Sequence, residues 1–264
     1  MNKLIKIVKR LIKLPTLKIR NTFLKAGLAG NYDANKAVLF FLPEVGVSLY
    51  LDMMLAIAED TRRNGFTPIF FGCNGFLNSC LLMDRTDKKS RTIKNTLLCA
   101  NCALVGANKI LNQRFGYLEC GHAKKNKVTF QSGTVEERLL YFYKDVPIGR
   151  LAYYDLSIKY KRDRGRSELS DQEMAYYDSI ICDSVSIVDF LDEDARSKSA
   201  CALISIDEYC LANTVREWAR VRNKLAFRAG FSYHFNADPQ FVTLSEDKTR
   251  AWEIGRASCR ERVW

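Results

Sequence analysis

The sequence predicts an α/β protein built on a Rossmann-like, open, mostly parallel sheet, and three observations carry that prediction. Short, wholly apolar runs such as AVLFFL and ALISI have the unbroken hydrophobicity of strands covered on both faces. Stretches with apolar positions at helical spacing follow them. A strand, a helix and a second strand fit within about 35 residues, the length of a βαβ unit, whose crossover is right-handed and whose ligand loops lie at the carboxyl ends of the strands.

The elements follow in chain order. Ala37 to Leu42 reads as the first strand, ended by Pro43 and followed by Gly46. Ser48 to Asn64 has helical spacing with Leu51, Met54, Leu55 and Ala58 inward, and Gly65 is the expected C-cap. Phe66 to Gly72 is the second strand. A cysteine-bearing insertion, residues 73–127, precedes a short strand at Val128 to Phe130 and a helix from Val135 to Tyr143. The aromatic-rich segment PIGRLAYYDLSIKY, Pro147 to Tyr160, leads through the basic link KRDRGR to a helix from Ser170 to Leu191. A last βαβ passage has a strand at Ala200 to Ile206, a helix from Leu211 to Arg228, a cap at Gly230 and a strand at Phe231 to Phe235.

Composition fits a globular protein, with 47% hydrophobic and 27% charged residues. The net charge of +11 suggests nucleic acid until its location is considered. Residues 1–36 hold nine Lys or Arg against the single acid Asp33, which accounts for +8 of that charge and leaves the body near neutral. On a helical wheel Leu4, Ile5, Ile7, Val8, Leu11, Ile12 and Leu14 take one half, and Lys3, Lys6, Lys9, Arg10 and Lys13 the other, until Pro15 ends the segment. This basic amphipathic N-terminal helix is the pattern of one lying on an anionic membrane surface. A helix docked on its own domain is the alternative. No aromatic residue sits among the charges to stack on bases, so no nucleic-acid partner is expected. Nine cysteines without a secretory or membrane-spanning run place the chain in the reducing cytoplasm. The expectation is a cytoplasmic protein held peripherally at the inner face of the cell membrane.

Four cysteines have ligand-like spacing. Cys73 and Cys80 flank the loop CNGFLNSC after the second strand, and Cys99 and Cys102 form a CxxC in LLCANCAL. Together they could make a tetrahedral structural zinc site, with an iron–sulfur cluster as the less favoured occupant. Plain buried thiols and a redox pair are the competing readings. The final stretch EIGRASCRERVW, residues 253–264, has neither helical nor strand period and resembles the translation of a DNA-sequencing adapter. The expected division is residues 1–36 as the basic amphipathic segment, 37–252 as the Rossmann-like body, and 253–264 as a non-native tail of a truncated chain.

The stretches LFFLPEVGVSLYLDMMLAIAEDTRRNGFTPIFFGCNGFLNSC, LLCANC and VPIGRLAYYDL resemble the N-terminal half of bacterial glycosyltransferase-like proteins of surface and capsular polysaccharide biosynthesis, which have the two-Rossmann-domain GT-B architecture. That family pairs a strand-end cysteine loop with a later CxxC, and the resemblance runs from residue 37 to about residue 240; SYHFNADPQF, after the last strand, departs from it. The resemblance implies that this half binds the acceptor, while the nucleotide-sugar donor sits on a C-terminal half beyond the chain; the expected acceptor is a polysaccharide or, joined with the basic amphipathic segment, a lipid-linked saccharide at the membrane face. The fragment alone is then expected to transfer no sugar. The absence of a GxGxxG phosphate loop agrees with an acceptor domain.

Sugar transfer with inversion needs a base for the acceptor hydroxyl. At strand ends the candidates are Glu44, Asp207, Glu208 and, within the last strand, His234. Helix capping and first-turn placement explain the first three equally well, and a half-buried strand position explains His234. Gly46, Asn74, Gly75, Tyr209 and Asn213 line the same expected edge, and Gly149, Arg150 and Tyr154 an acceptor-facing helix. Asn74-Gly75 is also a tight-turn dipeptide, and aromatic residues at helical spacing also build cores. The alternatives are a non-catalytic metal-stabilised binding or scaffold domain, and a glycerophosphate-type transferase of wall polymers.

Overall fold

The computed structural model describes residues 36–43, 45–46, 48–73, 75–78, 80, 91–119, 126–160, 168–206, 210–231 and 242–246. The basic segment 3–14 and the tail 253–264 lie outside the described residues. Where the sequence reading takes 37–252 as one body, the chain divides into two compact units, Met1–His122 and Ala123–Trp264. The class is α/β, Rossmann-like and mostly parallel.

In the first unit β1 (Ala37–Phe41), β2 (Thr67–Gly72) and β3 (Gly116–Glu119) form a parallel ladder with β2 between the other two. All five β1 residues are buried, the mark of a strand covered on both faces. Phe40 lies opposite Phe70 and Phe41 opposite Phe71, with ring centroids 5.0 Å apart in each pair. Helix α1 (Ser48–Arg63) turns Leu51, Met54, Leu55 and Ala58 inward as its spacing predicts. It ends at Gly65, φ +83°, where Gly65 N–H bonds Arg62 O and Phe66 N–H bonds Thr61 O. That pair of bonds is a Schellman motif, which places the chain in the left-handed region that glycine enters without a Cβ clash.

The supposed insertion holds regular structure. Helix α2 (Arg91–Asn112) spans 22 residues and leads directly to β3. Its end repeats the motif of α1, with Phe115 N–H on Ile110 O and Arg114 N–H on Leu111 O, but the left-handed residue is Arg114, φ 61°. The expected strand at Val128 to Phe130 is not formed, since those residues have no ladder partner.

The second unit begins with α3 (Val135–Leu139), shorter than expected because the chain turns at Lys144-Asp145, both at positive φ, and Tyr143 and Val146 exchange backbone bonds. Helix α4 (Ile148–Tyr160) packs on α5 (Asp171–Glu193), which starts with a complete Ser170/Glu173 capping box. Asp194 closes α5 and caps α6 (Ala195–Ser199), accepting from the amides of Arg196 and Ser197. Strand β4 (Ala202–Ile206) is buried throughout and pairs in parallel with β5 (Leu225–Phe231), while β6 (Val242–Glu246) joins β5 antiparallel. Between β4 and β5 lies α7 (Cys210–Val221). It stops seven residues before the expected Arg228, because Asn223 at φ 55° provides a third Schellman end and frees residues 225–231 to form a strand. No helix among the described residues is long and apolar enough to cross a membrane.

Two polar clusters fix the second unit. Buried Arg138 grips Asp178 with two bonds of 2.5 and 2.9 Å and lies over the Phe130 ring. Asp192 accepts two bonds from Arg222 and one from Trp218, each of 2.8 Å, and Lys144 Nζ bridges it to Asp189. Partial burial pushes the Asp192 carboxyl up, but bonds from Arg222, Trp218 and Lys144 outweigh that and hold it below the usual carboxylate range. A carboxyl depressed in the folded state adds stability that is complete above its unfolded value, about 3.9, and is lost as pH falls through the folded value. Asp192→Asn should therefore lower stability at neutral pH and flatten the acid limb of urea-melt midpoints between about pH 2 and 5. A second expectation concerns Gly149, where an added Cβ would sit 1.7 Å from the Arg138 carbonyl oxygen. Gly149→Ala should cost about 3 kcal/mol in chemical denaturation, at the upper end for overpacking.

Candidate functional site

Ligands of open α/β sheets bind outside the carboxyl ends of the strands, and in the first unit that edge is made by the β1 and β2 exit loops resting on α2. The β1 exit runs through Leu42, whose amide bonds Phe71 O at 3.3 Å, to buried Val45 and to Gly46. Gly46 N–H donates to Cys102 Sγ at 3.1 Å, and a Cβ there would meet Cys102 Cα at 2.9 Å. One helical turn on, a Cβ at Gly106 would meet Val45 Cβ at 2.3 Å. Cys99, Cys102, Gly106 and Ile110 follow one another at spacings of three, four and four, which is one face of a helix. Small side chains occupy that face where backbone presses on it, and the fully buried Ile110 continues it under the sheet.

The β2 exit is a tight turn. Phe76 N–H bonds Cys73 O at 3.0 Å and Gly75 lies at φ +77°. Glycine meets the positive φ of the third turn position without strain. Cys73 is 7% exposed, and its sulfur accepts Leu77 N–H at 3.4 Å. Burial pushes the Cys73 thiol up to about 11, against the backbone amides of Leu77, Gly75 and Phe76, and a charge on Cys99 would raise it further. Burial also raises the Cys99 thiol. A methyl group at Gly75 would stand 4.0 Å from Cys99 Cβ, ordinary contact distance.

The four cysteines thus divide. Cys102 serves the β1 exit loop, Cys73 and Cys99 share the β2 exit loop, and Cys80 is half-buried at that loop's far end. Among the described residues no group of three or more His, Cys, Asp or Glu side chains is assembled to hold a metal ion.

Glu44 and Asn74 in the first unit, and Asp207, Glu208, Tyr209 and His234 in the second, lie outside the described residues. Asn213 is buried on α7 and accepts from Arg216, a guanidinium with 0% exposure that also donates to Ser205 Oγ on β4 at 2.6 Å. Gly149 is a packing position, its amide on Tyr141 O and its carbonyl accepting Tyr177 O–H at 2.7 Å. Arg150 is exposed and Tyr154 half-buried on α4. Sequence reasoning passed over Gly106, although its place four residues after Cys102 on one helix face was readable. It also passed over the buried Arg216, whose apolar neighbours in LANTVREWARV were the available signal.

No protein-family model and no curated protein matches the chain. Among solved structures, AlbC, a cyclodipeptide synthase from Streptomyces noursei, is 11% identical, with a TM-score of 0.34, over 69% of this chain and 86% of that one. A likeness at that level carries no argument about this chain.

The fit of Gly106 against Val45 gives a prediction whose sign decides it. In an unconstrained helix Gly→Ala stabilises by roughly 0.8–1 kcal/mol. Here the clash with Val45 should reverse the sign, so that Gly106→Ala destabilises the fold by about 2 kcal/mol in urea denaturation.

Proposed function

We propose that the chain is the acceptor-binding, Rossmann-like part of a membrane-associated glycosyltransferase of surface polysaccharide biosynthesis. The observation that carries this reading is the glycine-bearing edge of the first unit. Gly46 lets the β1 exit loop lie flat on α2, and Gly75, where an added Cβ would meet only Cys99 Cβ at 4.0 Å, leaves room on the β2 exit loop at the edge where an open α/β sheet receives its ligand. The resemblance of residues 37–240 supplies the acceptor role, and the basic amphipathic segment supplies the ligand class, a lipid-linked saccharide. Donor nucleotide-sugar binding belongs, on this reading, to a second domain. The base that takes the acceptor proton is sought among Glu44, Asp207, Glu208 and His234. The basic face of residues 3–14 holds the protein on anionic lipid, where its acceptor lies.

Gly75→Asn separates ligand binding from folding. Asparagine tolerates the left-handed region, and its Cβ would stand in ordinary contact with Cys99 Cβ. The substitution therefore adds bulk to the edge without disturbing the turn. Binding of a polyprenyl-diphosphate-linked saccharide, measured by tryptophan fluorescence on vesicles containing phosphatidylglycerol, should weaken about tenfold, or ~1.4 kcal/mol, with the unfolding midpoint unchanged. Replacing Lys6, Lys9, Arg10 and Lys13 by Glu should abolish vesicle association itself, because each basic residue near an anionic surface contributes about 1 kcal/mol. Saccharide binding that is absent in the parent chain, or indifferent to Gly75→Asn, would remove the acceptor reading.

A further inference from the structure

The CxxC spacing of Cys99 and Cys102 suggests that these two thiols act together, and the tertiary structure separates them. Cys102 sulfur is taken up by the Gly46 amide on the β1 exit loop. Cys99, one helical turn earlier, stands against the β2 exit loop at Gly75, two residues from Cys73. Cys73 is the more buried of the pair, and its sulfur accepts the Leu77 amide. All of these cysteines stand as thiols.

We propose that Cys73 and Cys99 are a redox pair that closes to a disulfide by exchange with a small-molecule disulfide, and that Cys99 does not pair with its sequence neighbour Cys102. The half-buried Cys99 reacts first. Its thiolate attacks one sulfur of the small disulfide, breaking that S–S bond, forming a mixed disulfide and releasing one small thiolate. Cys73 then gives up its proton and attacks the Cys99 sulfur, which expels the second small thiolate. The two protons of the cysteines end on the two released thiols, and two electrons pass from the protein to the small disulfide. Burial raises both thiols, and the amides of Leu77, Gly75 and Phe76 offset only part of that at Cys73, so the exchange is slow at neutral pH and quickens as pH rises. The new bond ties the β2 exit loop to α2 and fixes the edge that Gly75 leaves open. In a reducing compartment such a bond is transient, as befits a switch. This inference stands on the loop geometry and does not depend on the transferase reading.

The whole chain, fully reduced and then equilibrated with oxidised glutathione, is alkylated and its peptides mapped by mass spectrometry without reduction. The expected result is loss of two thiols and one cross-linked peptide pair containing Cys73 and Cys99. Cross-linking at that position should vanish in Cys73→Ser and in Cys99→Ser and persist in Cys102→Ser. Each variant is checked for an unchanged circular dichroism spectrum before oxidation. A Cys99–Cys102 link, a link from either residue to Cys80, or full retention of both thiols at an oxidant excess that oxidises a control dithiol would each overturn the proposal.

Discussion

The packing of Val45 and Gly46 into one face of α2 is the contact on which the first unit's carboxyl edge depends. Val45 can be buried only because position 106 lacks a side chain, and Gly46 can approach Cys102 only because it lacks one itself. Both loops rest on the same helix, so the face presented by Cys99, Cys102 and Gly106 sets where the strand exits lie. A protein interior is close-packed, and a single added carbon at either glycine has nowhere to go. The cysteines follow from the same requirement, since a thiol is small, tolerates burial and accepts a backbone N–H weakly.

The second unit solves a different problem. Helix α7 is buried on all sides from Ala212 to Ala219, yet that stretch includes Asn213, Thr214, Arg216 and Glu217. Such groups are tolerated in a core only with hydrogen-bond partners. Ser205 and Asn213 serve Arg216, Glu217 pairs with Arg220, and Thr214 meets Ser184 on α5. Asp192 does the equivalent work nearer the surface, joining α5 to the end of α7 through Arg222 and Trp218 and to the 143–146 turn through Lys144. Removing one member of such a network strands the others, which is why Asp192 rather than an isolated surface pair sets an acid response.

How much of this was legible follows the local signals. Strands β1, β2 and β4 were readable from unbroken apolar runs, and α1 from its spacing and from Gly65. Three helices end in the same left-handed turn, but only α1 ends it with glycine. Arg114 adopts that conformation against its preference, and Asn223, which tolerates it, marks a helix end less plainly than glycine does. The end of α7 was therefore misplaced onto Gly230, and β5 was read as helix. Between residues 73 and 127 the cysteines drew attention to metal chemistry and away from a 22-residue helix whose own periodicity was present. Gly46 and Gly75 were read from their position after strands, and they lie in the β1 and β2 exit loops. Gly149 was read as part of an acceptor-facing helix, and its own surroundings, with the Arg138 carbonyl against it, are those of close packing.

The sequence by itself determined the class of the protein, the existence of its buried parallel strands and the concentration of positive charge in an aliphatic N-terminal segment. Each of these is a property of neighbours along the chain. Only the tertiary structure decided that Cys99 faces Cys73's loop while Cys102 faces Gly46, that Gly106 is required by Val45, and that Arg216 lies wholly buried against Ser205. These are contacts between residues tens of positions apart or on different elements, and they are fixed by how helix faces meet strand exits, which no spacing within one segment encodes.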